Sequence, residues 1–292
     1  MIKDYLKRFI VVIQTTYRDF EYNKKHALSR EAGGCDVDFA TLRMYCHMLD
    51  KAMNNPNFER GHSLTIYDKA KALQTNLTNY YRSDSAFLWV NRILDRFEKA
   101  QQTGMPEIEK NEVKHYLSGE IKMIEQFIKS RVSCRNFIEK TIPEDVLNKI
   151  ISLAVDAPNG CCRQTTHFYI TQDKKKISSI APNIAGLTNF TNIQGLIVVC
   201  ANSSFYGIID KNLQYVDASL AAENLILAAH LYGIYGTMCN IFHANENQIH
   251  NIKNILNISK SENIVLVIAF GYPAYLPEKP IRRNVESFYD VR

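Results

Sequence analysis

The sequence has no apolar stretch long enough to cross a bilayer. Its longest runs, residues 195–201 and 264–270, fall far short of the roughly 20 residues that a span needs. Its seven cysteines show no Cys-x-x-Cys spacing. Their odd number and their place in apolar runs suit reduced thiols, not a disulfide frame or a zinc site. Glycine (12) and proline (8) are sparse in 292 residues, which excludes a collagen-like chain, and 46% hydrophobic residues exclude a wholly disordered one. Lys3, Asp4 and Lys7 break what would have to be the apolar core of a secretory signal, so a cytosolic protein is expected. Missing too are Gly-x-Gly-x-x-Gly after a strand, Gly-x-x-x-x-Gly-Lys-Ser/Thr, His-Glu-x-x-His and Gly-x-Ser-x-Gly. Dinucleotide-binding Rossmann, P-loop, zincin and α/β-hydrolase readings lose their basis with them. The net charge of +5 is spread along the chain with no long basic stretch, so a nucleic-acid partner is not expected.

The texture of what is present changes once. Up to about residue 115 the chain reads as helices with polar joints. Leu6, Phe9, Ile10, Ile13 and Tyr17 recur at helical spacing, as do Leu42, Tyr45, Cys46, Leu49 and Met53, and then Phe87, Val90, Ile93, Leu94 and Phe97. Gly104 and Pro106, followed by a charged stretch, mark a connector, which predicts a helical domain over 1–115 and a second domain over 116–292. In the second part, helix and strand alternate. A helix is predicted from Pro143 to Ala157, strands over 167–171, 196–201 and 263–270, and helices over 217–232 and 246–256.

Four segments of this second part carry polar chemistry. In residues 130–137 (SRVSCRNF), Arg131, Ser133 and Arg135 alternate, so an extended loop presents them on one side, where two guanidinium forks and a hydroxyl suit a phosphate. The same residues also suit a solvated basic turn. Residues 157–164 (APNGCCRQ) form a turn between helix and strand, small enough at Gly160 for backbone to approach a planar ligand. Residues 217–230 (DASLAAENLILAAH) are apolar around most of a helix and predict a buried central helix, with His230 a packed core residue and not a catalyst. Residues 269–273 (AFGYP) lead to Arg282 and Arg283, which either reach a phosphate or form a solvated pair.

In this order and spacing the four segments, over residues 120–292, resemble the nitroreductase family of flavin-dependent oxidoreductases. The resemblance implies an α+β fold, a mixed sheet surrounded by helices, here preceded by an all-helical N-terminal domain. The helical part, around residues 47–61, is similar to an extension carried by one branch of the family, some of whose members accompany surface-polysaccharide synthesis.

The resemblance further implies FMN bound at a homodimer interface. NAD(P)H would act as transient donor of hydride to flavin N5, and a small organic acceptor such as a quinone or nitroaromatic would follow in a ping-pong cycle. It places Arg131, Val132 and Ser133 by the FMN phosphate and ribityl chain, and Arg135 at the pyrimidine edge, where a cation stabilises reduced flavin. Pro158, Asn159, Gly160 and Cys162 fall on the turn that packs on the flavin from the partner chain. Cys239 and Asn240 fall on the segment beside N5, and Arg282 or Arg283 on a second phosphate contact. No side chain is implied as a catalyst and no metal as a cofactor. Where the family pattern has Asn and Pro-Trp, this chain has Cys162 and Thr165-Thr166, which removes a flavin contact and an aromatic wall. That departure leaves an alternative: a catalytically silent flavin-binding protein acting as an interaction module.

Overall fold

A computed structural model describes residues 34–292 apart from 109, 111, 189, 191 and 208, together with eight positions between 6 and 20. Of these, Leu6, Phe9, Ile10, Ile13 and Tyr17 are helical and at least half exposed. Three helices follow, α1 (Cys35–Met53), α2 (Leu64–Tyr81) and α3 (Ser85–Thr103). Helix α3 shows why the local sequence is helical. The Asp84 side chain accepts hydrogen bonds from the N–H groups of Ala86 and Phe87, closing the helix start. Phe87, Val90, Ile93, Leu94 and Phe97 bury one face, and Gly104 ends the helix at φ 80°, a left-handed conformation that glycine adopts without a Cβ clash. With Leu42, Cys46, Leu49 and Met53 of α1, that face forms a hydrophobic core of its own.

The remainder comprises α4 (Ser118–Ser130), α5 (Glu144–Ala154), β1 (Thr166–Thr171), α6 (Lys174–Ile180), β2 (Gly195–Asn202), α7 (Leu213–Leu231), β3 (Tyr235–Asn240), α8 (Glu246–Leu256) and β4 (Glu262–Gly271). The strands form one sheet in the order β1-β2-β4-β3, and every described pairing is antiparallel. Helices cover both faces. Ile197 and Val199 of β2, with Ile268 and Phe270 of β4, pack on α5 and α7. Leu196, Val198 and Cys200, with Val267 and Ala269, pack toward α6 and α8. Successive residues of a strand face opposite ways, so burial on both sides is what makes β2 and β4 read as continuous apolar runs.

The expected α+β architecture is therefore present, with differences in detail: the sheet is antiparallel in every described pairing where a mixed one was expected, and helix α6 was not expected. The helix expected through Ala157 ends at Ala154, because residues 155–159 turn toward the site. The central helix begins at Leu213, one turn before the expected start. Strand β3 was not expected as a strand at all; Tyr235, Gly236, Thr237, Met238, Cys239 and Asn240 hold little β-branched signal, and pairing along β4 supplies the register.

At one end of the sheet, Glu262 is buried and accepts bonds from Tyr169 and from His167 Nδ1, the latter at 2.8 Å. Burial pushes its carboxyl up, yet the bonds from His167 and Tyr169 outweigh burial and hold it below the ordinary glutamate value. The bond to Glu262 raises His167 against its own burial. A raised histidine stabilises the fold below its unfolded value of about 6.5 and loses that contribution as pH rises through its folded value. A lowered glutamate contributes above about 4.3 and loses its contribution as pH falls. The pair thus supports the fold most between those limits, and the effect is modest because the His167 side chain is 56% exposed. Thermal melts from pH 4 to 8 should show Glu262→Gln flattening this bulge in stability; an unchanged profile would remove the pair from the account.

Candidate functional site

Two clefts hold five of the site residues expected from the sequence, Arg135, Cys239 and Asn240 in one and Pro158 and Asn159 in the other, whereas Arg131, Val132, Ser133, Gly160, Arg282 and Arg283 line neither. The first begins where α4 ends. Ser130 Oγ lies 2.8 Å from His230 Nε2, and the His230 ring stacks on Phe127 at 4.9 Å and meets Tyr235 edge-on. His230 is a packed residue, as expected, with its pKa lowered by burial. From there the loop runs beside β3. The Cys134 N–H donates to the Gly236 carbonyl at 3.3 Å, and Thr237 Oγ1 donates to the Cys134 carbonyl at 2.7 Å. Val132 and Cys134 are buried, Arg131 and Ser133 half-buried and Arg135 exposed, so the alternation read from the sequence survives in the fold. Tyr272, Pro273 and Ala274 pin the far end of the loop through backbone bonds to Asn136 and Ile138 and a bridge to Phe137.

Arg135, Thr237, Met238, Cys239 and Asn240 line this first cleft, of about 220 Å³, with Gly186 and Phe190 opposite. A Cβ on Gly186 would lie 3.0 Å from the Cys239 sulfur, so a side chain there would crowd the cleft. Burial pushes the Cys239 thiol up, and the positive field of Arg135 opposes that shift.

The second cleft, of about 320 Å³, is lined by Pro158, Asn159, Gln164, Phe168, Asp217 and Ala221 among others. Its turn is fixed from within and from α7. Asn159 Oδ1 accepts from the Gln164 N–H at 3.0 Å, and Asp217 Oδ1 accepts from the Gly160 N–H at 2.9 Å. Asp217 Oδ2 takes the Tyr206 hydroxyl at 2.7 Å, and Tyr206 in turn bonds Thr165. Arg163 bonds the Gly160 carbonyl at 3.2 Å and Asp210 at 3.0 Å. Within this turn three residues other than glycine sit in the left-handed region, Cys161 at φ 56°, Cys162 at φ 54° and Gln164 at φ 52°. The neighbouring Cys161 and Cys162 are both free thiols.

The fold thus joins Arg135 with Cys239 and Asn240, and Pro158 with Asn159, in two clefts that share no lining residue. Cys162 lines neither; its sulfur lies 3.6 Å from His47 Nδ1 on α1. Arg282 and Arg283 are exposed, and the Arg283 guanidinium lies 4.7 Å from the Phe288 ring. Their nearest tie to the arginine loop is Lys279, which bonds the Lys129 carbonyl at the end of α4. Sequence reasoning missed Arg43, Arg163, Tyr206 and the bond from Gly160 to Asp217. Asp217 stood in a quoted motif, and its acidic side chain at the head of an apolar run was the available signal.

The nitroreductase family model matches residues 128–195 and 185–272. A protein of Methanothermobacter thermautotrophicus, named as a candidate NADH dehydrogenase/NAD(P)H nitroreductase, is 25% identical over 164 residues, covering 56% of this chain and 84% of its own length. One of the same name from Archaeoglobus fulgidus is 25% identical over 148 residues, covering 51% and 84%. A crystal structure of such a protein from Bacteroides thetaiotaomicron superposes with a TM-score of 0.52 at 21% identity, over 57% of this chain and 96% of that one. A nitroreductase-like protein from Streptococcus mutans gives 0.53 at 18% identity, over 60% and 100%. Each of them covers between 51% and 60% of this chain. Matched by that model from residue 128 to 272 and folded like these structures, this part of the chain belongs to the nitroreductase family.

Proposed function

We propose that this oxidoreductase holds FMN between two copies of the chain and uses NAD(P)H to reduce a small organic acceptor. The observation that carries the reading is the division of the site: the arginine loop with β3 forms one cleft, the 157–164 turn forms another, and the two have no residue in common. On this reading the loop cleft of one copy and the turn of another together complete a single site. Exposed apolar residues on α7 (Val216 and Leu220) and α4 (Ile121 and Ile128) supply surface for that contact. On this reading residues 1–115 form a helical domain, 116–292 the FMN-binding one, and the free thiols suit the cytosol.

The donors present fit the cofactor. Arg131 and Ser133 offer a guanidinium and a hydroxyl to its phosphate, and Arg135 a positive charge beside the cleft that Cys239 and Asn240 line. Pro158, Asn159 and Gly160 offer a turn with its backbone held in place by Asp217. When bound, FMN supplies hydride exchange, taking a hydride from the nicotinamide and giving it to the acceptor. The chain contributes binding, orientation and charge; Arg135 would favour the anionic reduced form, and the proton that the acceptor takes up with the hydride would come from water.

The visible spectrum of purified protein mixed with FMN tests this directly. Bound flavin absorption, a dimer in light scattering, and steady NAD(P)H oxidation with a quinone or nitroaromatic are expected. Protein that stays colourless overturns the reading. Flavin bound without turnover by any acceptor favours the silent flavin-binding module, to which the threonines at 165 and 166 lend support.

A further inference from the structure

We infer that α1 is a working part of the cofactor site, with Arg43 as the positioning residue that holds the 160–164 turn in its left-handed shape. The inference rests on reading that turn as a flavin contact. Arg43 is only 6% exposed, yet its two described hydrogen bonds go to no carboxylate. Nη2 donates to the Arg163 carbonyl at 2.6 Å and Nε to the Cys162 carbonyl at 3.3 Å, across separations of 120 and 119 residues. Its guanidinium lies 4.2 Å from the Phe39 ring, so Phe39 packs against it on α1.

Among the described residues no carboxylate pairs directly with this buried cation; Asp84 and Asp36 act on it only from a distance, so its burial is costly and it persists where its donors satisfy something else. Here that is a backbone which side chains with a Cβ rarely adopt, with Cys161, Cys162 and Gln164 all at positive φ. The turn is gripped from two directions. On one side Asp217 of α7 takes the Gly160 N–H. On the other Arg43 takes the carbonyls of residues 162 and 163. One helical turn further along α1, His47 Nδ1 lies 3.6 Å from the Cys162 sulfur, extending the same contact. The fork of a guanidinium suits two carbonyls in sequence, whereas a lysine offers a single point charge. The leading helices therefore shape the turn and are not a detachable appendage.

The test uses the full chain, with Leu94→Ala as the control for simple loss of stability, since Leu94 is buried on α3 in the same helical core. Arg43→Met should weaken FMN affinity by about tenfold or more. It should also speed amide exchange at Gly160 and Gln164. Leu94→Ala, compared at a temperature giving equal fractional stability, should do neither, and Arg43→Lys should lie between wild type and Arg43→Met. Should Arg43→Met fail to fold, the Arg43→Lys comparison carries the same two readouts. Amide exchange in the turn no faster than in Leu94→Ala, or unchanged FMN affinity despite a loosened turn, overturns the inference. If the wild-type chain binds no FMN, the cofactor reading fails, while the exchange comparison still decides whether Arg43 holds the turn.

Discussion

Arg131→Ala should lower FMN affinity by about ten- to more than a hundredfold, because a charge-assisted hydrogen bond to an anion is worth roughly 1.5–3 kcal/mol. The fold should survive the change. Arg131 is half-buried at the end of α4, and the loop beyond it is anchored independently, by Val132 and Cys134 inside and by the backbone bond from Cys134 to Gly236. Arg131→Lys keeps the charge and loses the fork, so it should fall between the two. Titrating stripped protein with FMN, followed by quenching of flavin fluorescence, gives the affinities. A thermal melt on the same samples checks that stability moves little. Raising the salt should reduce the gap between wild type and alanine, since a partly exposed pair is screened. An unchanged dissociation constant would move the phosphate elsewhere, with Arg282 and Arg283 the next positions to substitute.

What could be read in the sequence follows from how local the cause of each feature is. Strands β2 and β4 were legible because burial on both faces writes an unbroken apolar run. Helix α8 was legible to the residue, since Asn245 and Gln248 close its start with a reciprocal capping box and Asn257 ends it in the left-handed region. Strand β3 was not legible, for its pairing with β4 outweighs a weak intrinsic preference. Helix α6 is seven residues long, too short for periodicity to show, although the Asp173 cap was there to be seen. The same rule sorts the site. Alternation exposed the side shared by Arg131, Ser133 and Arg135 because it is a property of neighbours. The hold of Arg43 on residues 162 and 163 left no trace, because backbone carbonyls are the same in every residue.

The second large effect is expected at Asp217, and there it falls on the fold as well as on the cofactor. This carboxylate is 2% exposed and accepts from both the Gly160 N–H and the Tyr206 hydroxyl. Asp217→Ala leaves the half-buried Gly160 N–H and the buried Tyr206 hydroxyl without this acceptor, and removing a charged acceptor costs about 1.5–3 kcal/mol for each bond before relaxation. Tyr206 retains Thr165 as a partner, which reduces its share. A loss of about 3 kcal/mol is therefore expected, or roughly 6–12 °C in melting temperature for a domain of this size. Asp217→Asn separates geometry from charge. Its carbonyl oxygen still accepts from Gly160, and its amide donates to the Tyr206 oxygen while that hydroxyl turns to Thr165, so most of the loss should be recovered. Urea unfolding of the three proteins measures the stability, and amide exchange at Gly160 measures the turn. FMN affinity should follow the exchange rate at Gly160 and not the melting temperature, because it is the shape of the turn that meets the ligand. An alanine variant as stable as wild type would mean that Asp217 anchors neither group in solution.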